Sequence, residues 1–311
     1  MKILIIEQLW QHTEVIGIWL DFYKDHDITV YYPEYNKNQH NYIHIWQKIF
    51  NFKLDIIGNI SPSLYDIVLL NTTIPSVAQK MLADFPSIKL LTVEHYSVQT
   101  IRGKIDSICE SQICDLPVQP FSSPGTCIIP VCPRFADLLA TCRSAIPIER
   151  NILIIGNSFK NTPATLFNSF IHVLQSSGYT LKAVLYGYND LSGYDFSLID
   201  TQKDISAIDL YAEVESARFI LFLPADYHFM NQGSGSLVHS LQFGRPLITM
   251  SNFLTLYNIK SYYSIGDPNL LKQLDDTMYY KEAQHYYGLR LNEIIANNFK
   301  ILENKTKKLL G

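Results

Sequence analysis

The feature that most constrains the fold is an alternation of short apolar runs with longer amphipathic stretches, which continues along the whole sequence. The first run is Lys2–Ile6, and the alternation restarts with Asn151–Ile155 after a break at Ser144–Ile148. Short apolar runs separated by stretches of helix length are typical of parallel strands that helices cover. The sequence therefore predicts an α/β fold of two successive units, each beginning with a strand.

The same alternation predicts the individual elements. In the first half the predicted strands are Lys2–Ile6, Ile28–Tyr32, Asp66–Leu70, Lys89–Val93 and Thr126–Ile129, and the predicted helices are Thr13–Tyr23, Ile74–Phe85 and Arg134–Cys142. In the second half the predicted strands are Asn151–Ile155, Leu181–Tyr186, Arg218–Leu223 and Pro246–Met250, and the predicted helices are Pro163–Ser176, Ile208–Ser216 and Ser236–Phe243. A long helical tract, Lys281–Leu309, follows them. The length of 311 residues suits two domains of roughly 150 residues each.

Composition and charge limit the partners and the compartment. Lys and Arg number 25 against 29 Asp and Glu, and no basic run forms a stripe, so we expect no nucleic-acid partner. The N-terminal run reads as a buried strand rather than a signal peptide, and no apolar run approaches the ~20 residues that span a bilayer. We therefore expect a cytoplasmic protein without a transmembrane segment, and peripheral membrane contact is left open.

All five cysteines fall within one short stretch, between Cys109 and Cys142. Cys109 and Cys114, like Cys127 and Cys132, are five positions apart, which is wider than the usual zinc knuckle, and no histidine stands at ligand spacing beside them. We expect reduced thiols with no metal, as in a reducing compartment, although the clustering also admits a metal interpretation.

The most informative segment is a glycine- and serine-rich loop that leads into a predicted helix. Gly233 and Gly235 let a backbone approach an anion closely, and Ser236 adds a hydroxyl where the helix dipole is positive. Gly244 ends the helix and Pro246 begins the next buried strand. Such a loop suits a pyrophosphate, while the alternative is a flexible loop with a capping serine.

This segment resembles the donor-binding signature of GT-B glycosyltransferases. The matching residues are Gly233, Ser236, Ser240, Leu241, Gly244 and Pro246. His239 stands where the family usually has a glutamate on the ribose, and Asn231 stands where many retaining members have the first glutamate of a pair. An imidazole can still hydrogen-bond a ribose hydroxyl.

The resemblance implies an architecture and a reaction. It implies two Rossmann-like domains facing a central cleft: residues 1–147 on the acceptor side, residues 148–280 binding the donor, and residues 281–311 as a helix that crosses back to the first domain. The implied activity is transfer of a sugar from a nucleoside-diphosphate sugar, UDP- or GDP-linked, to a glycan or other hydroxyl acceptor. No cofactor or essential metal is expected.

The resemblance also implies which residues contact the donor. Lys160 is the candidate for a positive charge on the donor phosphates, with a solvated surface lysine as the alternative. The full predicted donor-binding set is Asn157, Ser158, Lys160, Gly187, Tyr188, Ile205, Asn231, Gln232, Gly233, Ser234, Gly235, Ser236 and His239.

On the acceptor side, polar residues emerge where predicted strands end. Glu7 follows the first strand, and Glu94 and His95 follow a later one in a run that resembles the strand-then-histidine element of several GT-B families. We expect His95 and Glu7 to serve the reacting sugar and acceptor, with one of them as the base if the enzyme inverts, and Glu94 is a further catalytic candidate. Asp226 and His228 are the predicted sugar contacts.

Three alternatives remain open at this point. Polysaccharide pyruvyl transferases and nucleotide-sugar 2-epimerases share the two-lobed architecture. A catalytically silent nucleotide-sugar binder would also fit, because both acidic donor residues of the signature are replaced. Dinucleotide-binding and P-loop motifs are lacking from the sequence.

Overall fold

A computed structural model describes residues 1–8, 12–33, 42–58, 60–94, 113–117, 128–132, 134, 147–156, 158–187, 191–224 and 235–311. These residues divide into two compact units. The first unit holds the described residues of Met1–Leu138 together with Ile294–Gly311, and the second holds those of Leu139–Met230 and Ser234–Glu293. Each unit is built on its own parallel sheet.

The first unit contains a six-stranded parallel sheet in the order β3-β2-β1-β4-β5-β6. Its strands are β1 Lys2–Ile6, β2 Asp27–Tyr31, β3 Lys53–Asp55, β4 Ile67–Leu70, β5 Leu90–Glu94 and β6 Ile113–Pro117. The central strands β1 and β4 are buried almost throughout, because helices cover a parallel sheet on both faces.

The helices of the first unit are α1 Ile16–Phe22, α2 Ile43–Ile49 and α3 Pro75–Asp84, with a 3₁₀ turn at Pro62–Leu64. Helices α1 and α2 pack very closely: a Cβ built on Gly17 would lie 2.6 Å from the ring of Trp46. Only glycine fits there without movement of the indole, which donates through Nε1 to the carbonyl of Thr13 at 2.9 Å.

The second unit repeats this arrangement. Its strands are β7 Asn151–Ile155, β8 Thr180–Leu185, β9 Asp200–Lys203, β10 Phe219–Leu221, β11 Leu247–Thr249 and β12 Tyr263–Ser264, in the order β12-β11-β10-β7-β8-β9. Read from β9, this order is 3-2-1-4-5-6 within the unit, as it is in the first unit, and it is the order of doubly wound α/β folds.

The helices of the second unit are α4 Ala164–Ser176, α5 Ala207–Ser216, α6 Gly235–Phe243, α7 Ser251–Leu256 and α8 Leu270–Asp275, with a 3₁₀ turn at Ser158–Asn161. The long helix α9, Thr277–Leu310, has its first part in the second unit and its last part in the first. Tyr287 of the first part accepts the Leu247 N–H at 3.3 Å, and Thr306 of the last part lies 2.7 Å from the Tyr23 hydroxyl.

One predicted strand needs correction. Ile128 and Ile129, the described half of the predicted strand Thr126–Ile129, are not in a strand, and the sixth strand is Ile113–Pro117 instead. Asp115 and Pro117 interrupt the apolar pattern by which strands were predicted, so this strand was missed. Because β6 lies at the edge of its sheet, it can accommodate a proline.

A helix that spans a membrane must be both long and apolar. Among the described residues, no helix is long and apolar enough to cross a bilayer.

Candidate functional site

Each sheet has one place where the order of strands reverses. In the first unit this point lies between β1 and β4, and in the second between β7 and β10. In doubly wound folds, ligands bind outside the carboxyl ends of the strands at this switch point, because the flanking loops leave in opposite directions. The residues that follow β1, β4, β7 and β10 are therefore the first to consider.

Glu7 directly follows β1 and is fully buried. Its carboxylate oxygen Oε2 accepts hydrogen bonds from Asn71 Nδ2 at 2.5 Å and from Thr72 Oγ1 at 2.9 Å, and both donors directly follow β4. Two strand ends thus meet around one carboxylate at the switch point. The hydrogen bonds offset the cost of burying its charge.

Asn71 is itself held in place by two further contacts. Its Oδ1 accepts from the indole Nε1 of Trp19 at 2.6 Å, and its Nδ2 also donates to the carbonyl of His12 at 2.8 Å. The network therefore ties Glu7 to the backbone of the loop between β1 and α1. A buried network that is satisfied in this way is rigid.

His12 is the functional candidate that the sequence analysis missed. Its Nδ1 lies 3.6 Å from Glu14 Oε1, and the side chain is 22% exposed. Burial alone would lower the pKa of His12, but the hydrogen bond and charge of Glu14, with the charge of Glu7, raise it above its ordinary value. The sequence pattern that could have indicated His12 is a histidine two positions before a glutamate in the loop after the first strand.

In the second unit, Gly156 follows β7 at φ 71°, and a Cβ built on it would meet none of the described residues within 4 Å. Glycine is favoured there because of the left-handed backbone conformation. Lys160 follows in the 3₁₀ turn and is exposed. The loop after β7 thus presents a left-handed glycine and a lysine near the switch point.

Helix α6 follows the loop after β10 and begins at Gly235, which is exposed, with Ser236 buried in its first turn. His239, one turn later, packs its ring 5.6 Å from that of Tyr211. Gly244 ends the helix at φ 60°, where a left-handed residue belongs.

Other signature residues have structural roles at the end of the same helix. Ser240 Oγ donates to the carbonyl of Arg245 at 2.5 Å, and the Arg245 N–H donates to the carbonyl of Ser240 at 2.9 Å. These bonds close the turn that leads to β11. Ser240, one residue of the signature, therefore stabilises the end of α6 and the turn to β11 instead of contacting a ligand.

The loops after β8 and β9 are joined to each other. The N–H of Gly187, at φ 69°, donates to Asp204 Oδ1 at 2.8 Å, and Asp204 itself has a positive φ of 51°. Ile205 is half-buried beside it, and Ser206 caps α5 by accepting the Asp209 N–H. The structure thus brings together two neighbouring parts of the predicted donor set.

Several predicted site residues lie outside the described residues. These are His95, Asn157, Tyr188, Asp226, His228, Asn231, Gln232, Gly233 and Ser234. Glu94 is the last residue of β5 and Ser158 begins the 3₁₀ turn, but only their backbones are described. Among the described residues, no three His, Cys, Asp or Glu side chains are grouped to hold a metal ion.

No family model matches the sequence, and neither does any curated protein. Solved structures do match. An alpha-glucosyltransferase with UDP and a 13-mer DNA containing a HMU base is 12% identical, with a TM-score of 0.58 over 97% of this chain and 94% of that one. HepE of Anabaena, solved with UDP, is 11% identical, with a TM-score of 0.53 over 99% and 100%.

The glycosyltransferase SnogD of Streptomyces nogalater is 13% identical, with a TM-score of 0.53 over 98% of this chain and 99% of that one. The fold is that of GT-B glycosyltransferases. The predicted fold class of two Rossmann-like α/β units is confirmed. T4 phage BGT, 8% identical with a TM-score of 0.53 over 99% of both chains, was solved with UDP and Mn²⁺.

Our exclusion of nucleic acid was wrong. Structures of the alpha-glucosyltransferase that share this GT-B fold hold DNA. The exclusion rested on a net charge of -4 summed over the whole chain and on the lack of a basic run in the sequence. Recognition of a phosphate backbone depends instead on where basic side chains lie locally, and a sum over two units does not report that.

Proposed function

We propose that this chain is a glycosyltransferase that uses a nucleoside-diphosphate sugar. The observation that carries the proposal is the convergence at the switch point of the second sheet. Gly156 after β7 has a left-handed backbone with no described residue beside it, and α6 after β10 starts at Gly235 with Ser236 in its first turn. The N–H groups of the first turn of a helix and the positive end of its dipole favour a diphosphate at such a place.

In this proposal the donor lies along the carboxyl edge of the second sheet. The diphosphate contacts Ser234, Gly235 and Ser236, and Lys160 supplies a compact positive charge. The nucleotide is UDP or GDP, and its base lies toward the linked loops of Gly187 and Ile205. Support comes from the match to the donor signature and from structures of the same fold that contain UDP.

The groups proposed to serve the acceptor come from the first unit. Glu7 and His12 lie at the β1–β4 switch point, where the hydrogen bond and charge of Glu14, with the charge of Glu7, raise the pKa of His12 and so stabilise the imidazolium that forms when neutral His12 takes up a proton. A histidine that gains a proton readily suits removal of a proton from an acceptor hydroxyl. Glu94, the last residue of β5, and His95, the next residue in the sequence, stay proposed catalytic residues for the same step.

We further propose that transfer requires no divalent ion. Lys160 and the N-terminal end of α6 would stabilise the negative charge that develops on the leaving diphosphate. One structure of the same fold was solved with Mn²⁺, so the assay compares turnover in EDTA with turnover in Mn²⁺. Turnover that collapses in EDTA and returns with Mn²⁺ would refute this part.

The acceptor is proposed to be a hydroxyl compound. Glycans are the first class to test, and DNA containing a HMU base is the second, because an alpha-glucosyltransferase of the same fold was solved with such DNA. Sugar transfer to one class and not to the other identifies the acceptor.

A thermal-shift screen tests donor binding, because a ligand that binds only the native state raises the melting temperature. We expect UDP or GDP to raise it in the wild type and to have little effect in a Lys160→Ala, Ser236→Ala double variant. Lys272→Ala, which removes an exposed lysine from α8, is the matched control and should respond like the wild type. An undiminished response in the double variant would refute the placement of the diphosphate, and a response to phosphoenolpyruvate alone would favour a pyruvyl transferase.

A further inference from the structure

The 3₁₀ turn that carries Lys160 is anchored by an aromatic cluster. Phe159 has no exposed surface, and its ring centroid lies 5.5 Å from that of Phe167, 5.1 Å from that of Tyr194 and 5.0 Å from that of Phe196. Edge-to-face rings at these distances attract one another beyond the effect of burial alone. Phe159 therefore fixes the turn while its neighbour Lys160 stays exposed.

Tyr194 adds a second link to the same turn. Its one hydroxyl hydrogen is shared between the carbonyl of Thr162 at 2.9 Å and that of Lys160 at 3.2 Å. The hydroxyl thus bonds the backbone of the lysine and of the residue that follows the turn. This contact restricts the position of the Lys160 backbone, and therefore of the Cα atom from which its side chain extends.

The segment that carries Tyr194, residues 191–197, is itself held on helix α4. Asn168 of α4 donates to the Gly193 carbonyl at 2.9 Å and accepts the Asp195 N–H at 2.8 Å. His172, one turn later, lies 3.3 Å from Asp195. The segment is part of the connection between β8 and β9. Helix α4 holds it in place, and Tyr194 joins it to the turn after β7.

We propose that Tyr194 is a positioning residue for the donor diphosphate, acting through Lys160. This inference rests on the proposed function. The Tyr194 hydroxyl holds the backbone carbonyl of Lys160, so that the ammonium group is presented to the diphosphate without the entropic cost of ordering the turn on binding. Loss of the hydroxyl weakens donor binding and leaves the aromatic cluster in place.

The test is a double-mutant cycle measured by calorimetry with UDP and GDP. Tyr194→Phe keeps the ring and removes the hydroxyl, and one hydrogen bond corresponds to a roughly three- to tenfold higher Kd. In a Lys160→Ala background, Tyr194→Phe has no further effect, because the group that it positions is gone. With a nucleotide sugar, Tyr194→Phe raises the donor KM and changes kcat little.

Tyr279→Phe is the matched control. The Tyr279 hydroxyl also donates to a backbone carbonyl, that of Tyr262 at 2.9 Å, in the same unit. We expect Tyr279→Phe to leave the Kd for UDP unchanged, and the melting temperatures of the two ligand-free variants to be similar.

The outcomes separate the two proposals. If the wild type binds neither nucleotide, the proposed function and this inference both fail. If Lys160→Ala weakens binding and Tyr194→Phe does not, the proposed function stands and the positioning role is overturned. An equal effect of Tyr194→Phe with and without Lys160 also overturns it, since the hydroxyl would then act on the fold alone.

Discussion

The buried carboxylate of Glu7 gives a sharp prediction, because two adjacent threonines differ in their contact with it. Thr72 and Thr73 are 7% and 8% exposed, and Thr72 Oγ1 donates to Glu7 Oε2 at 2.9 Å. Thr73 Oγ1 has no hydrogen-bond partner among the described residues. Valine has the shape of threonine without its hydroxyl, so the two substitutions remove the same atom from two different environments.

The expected magnitudes follow from these contacts. A hydrogen bond to a charged group contributes about 1.5–3 kcal/mol, so Thr72→Val should lower the free energy of unfolding of the first unit by that amount. Thr73→Val loses no partner and removes a buried unpaired hydroxyl. We expect it to be neutral or slightly stabilising.

Urea unfolding followed by tryptophan fluorescence suits the comparison. All three tryptophans lie within the first 46 residues of the sequence, and Trp19 donates to Asn71 in the same network. The fluorescence therefore reports the first unit. Equal losses of stability for Thr72→Val and Thr73→Val, or a loss confined to Thr73→Val, would refute the described network around Glu7.

Three further predictions concern the loop after β1, the contact between α1 and α2, and the loop after β7. Glu14→Gln should lower the pKa of His12, which an NMR titration measures. Because the pKa of His12 is raised in the native protein, its protonated form stabilises the fold below about pH 6.5. This contribution to stability is lost as the pH rises through the native pKa. Gly17→Ala should cost about 1–3 kcal/mol in urea unfolding, because its Cβ would meet the ring of Trp46, and an unchanged midpoint would contradict the packing. Gly156→Ala should lower the free energy of unfolding by about 1–2 kcal/mol through backbone strain, since no described residue lies within 4 Å of the new Cβ, and urea unfolding followed by circular dichroism measures the loss.

The sequence predicts the interior of both sheets and misses their edges. Strands β1, β2, β4, β5, β7, β8, β10 and β11 were all predicted, and the missed strands β3, β6, β9 and β12 are the edge strands of the two sheets. Interior strands are apolar because they are covered on both faces, whereas an edge strand such as Asp200–Lys203 carries polar side chains throughout. Apolar periodicity reports burial, and the edge strands β3 and β9 are only partly buried.

The candidate site shows a similar limit. Glu7 could be predicted, because the residue after a buried parallel strand lies at the carboxyl edge. The roles of His12 and Tyr194 could not, since the raised pKa of His12 depends on how a loop folds around Glu14, and Tyr194 meets the Lys160 carbonyl across 34 positions of sequence. Contacts of this kind arise from tertiary structure and leave no local pattern in the sequence.

The most direct test of the central claim is turnover of nucleotide sugars by the wild-type protein. UDP- and GDP-linked sugars carrying a labelled sugar are incubated with the protein and with glycans or HMU-containing DNA, and released nucleoside diphosphate and label on the acceptor are measured together. The account predicts release of the nucleoside diphosphate in step with transfer of the label, and loss of both in the Lys160→Ala, Ser236→Ala variant. Binding of the donor without release from any of these sugars would contradict it and identify a silent nucleotide-sugar binder instead.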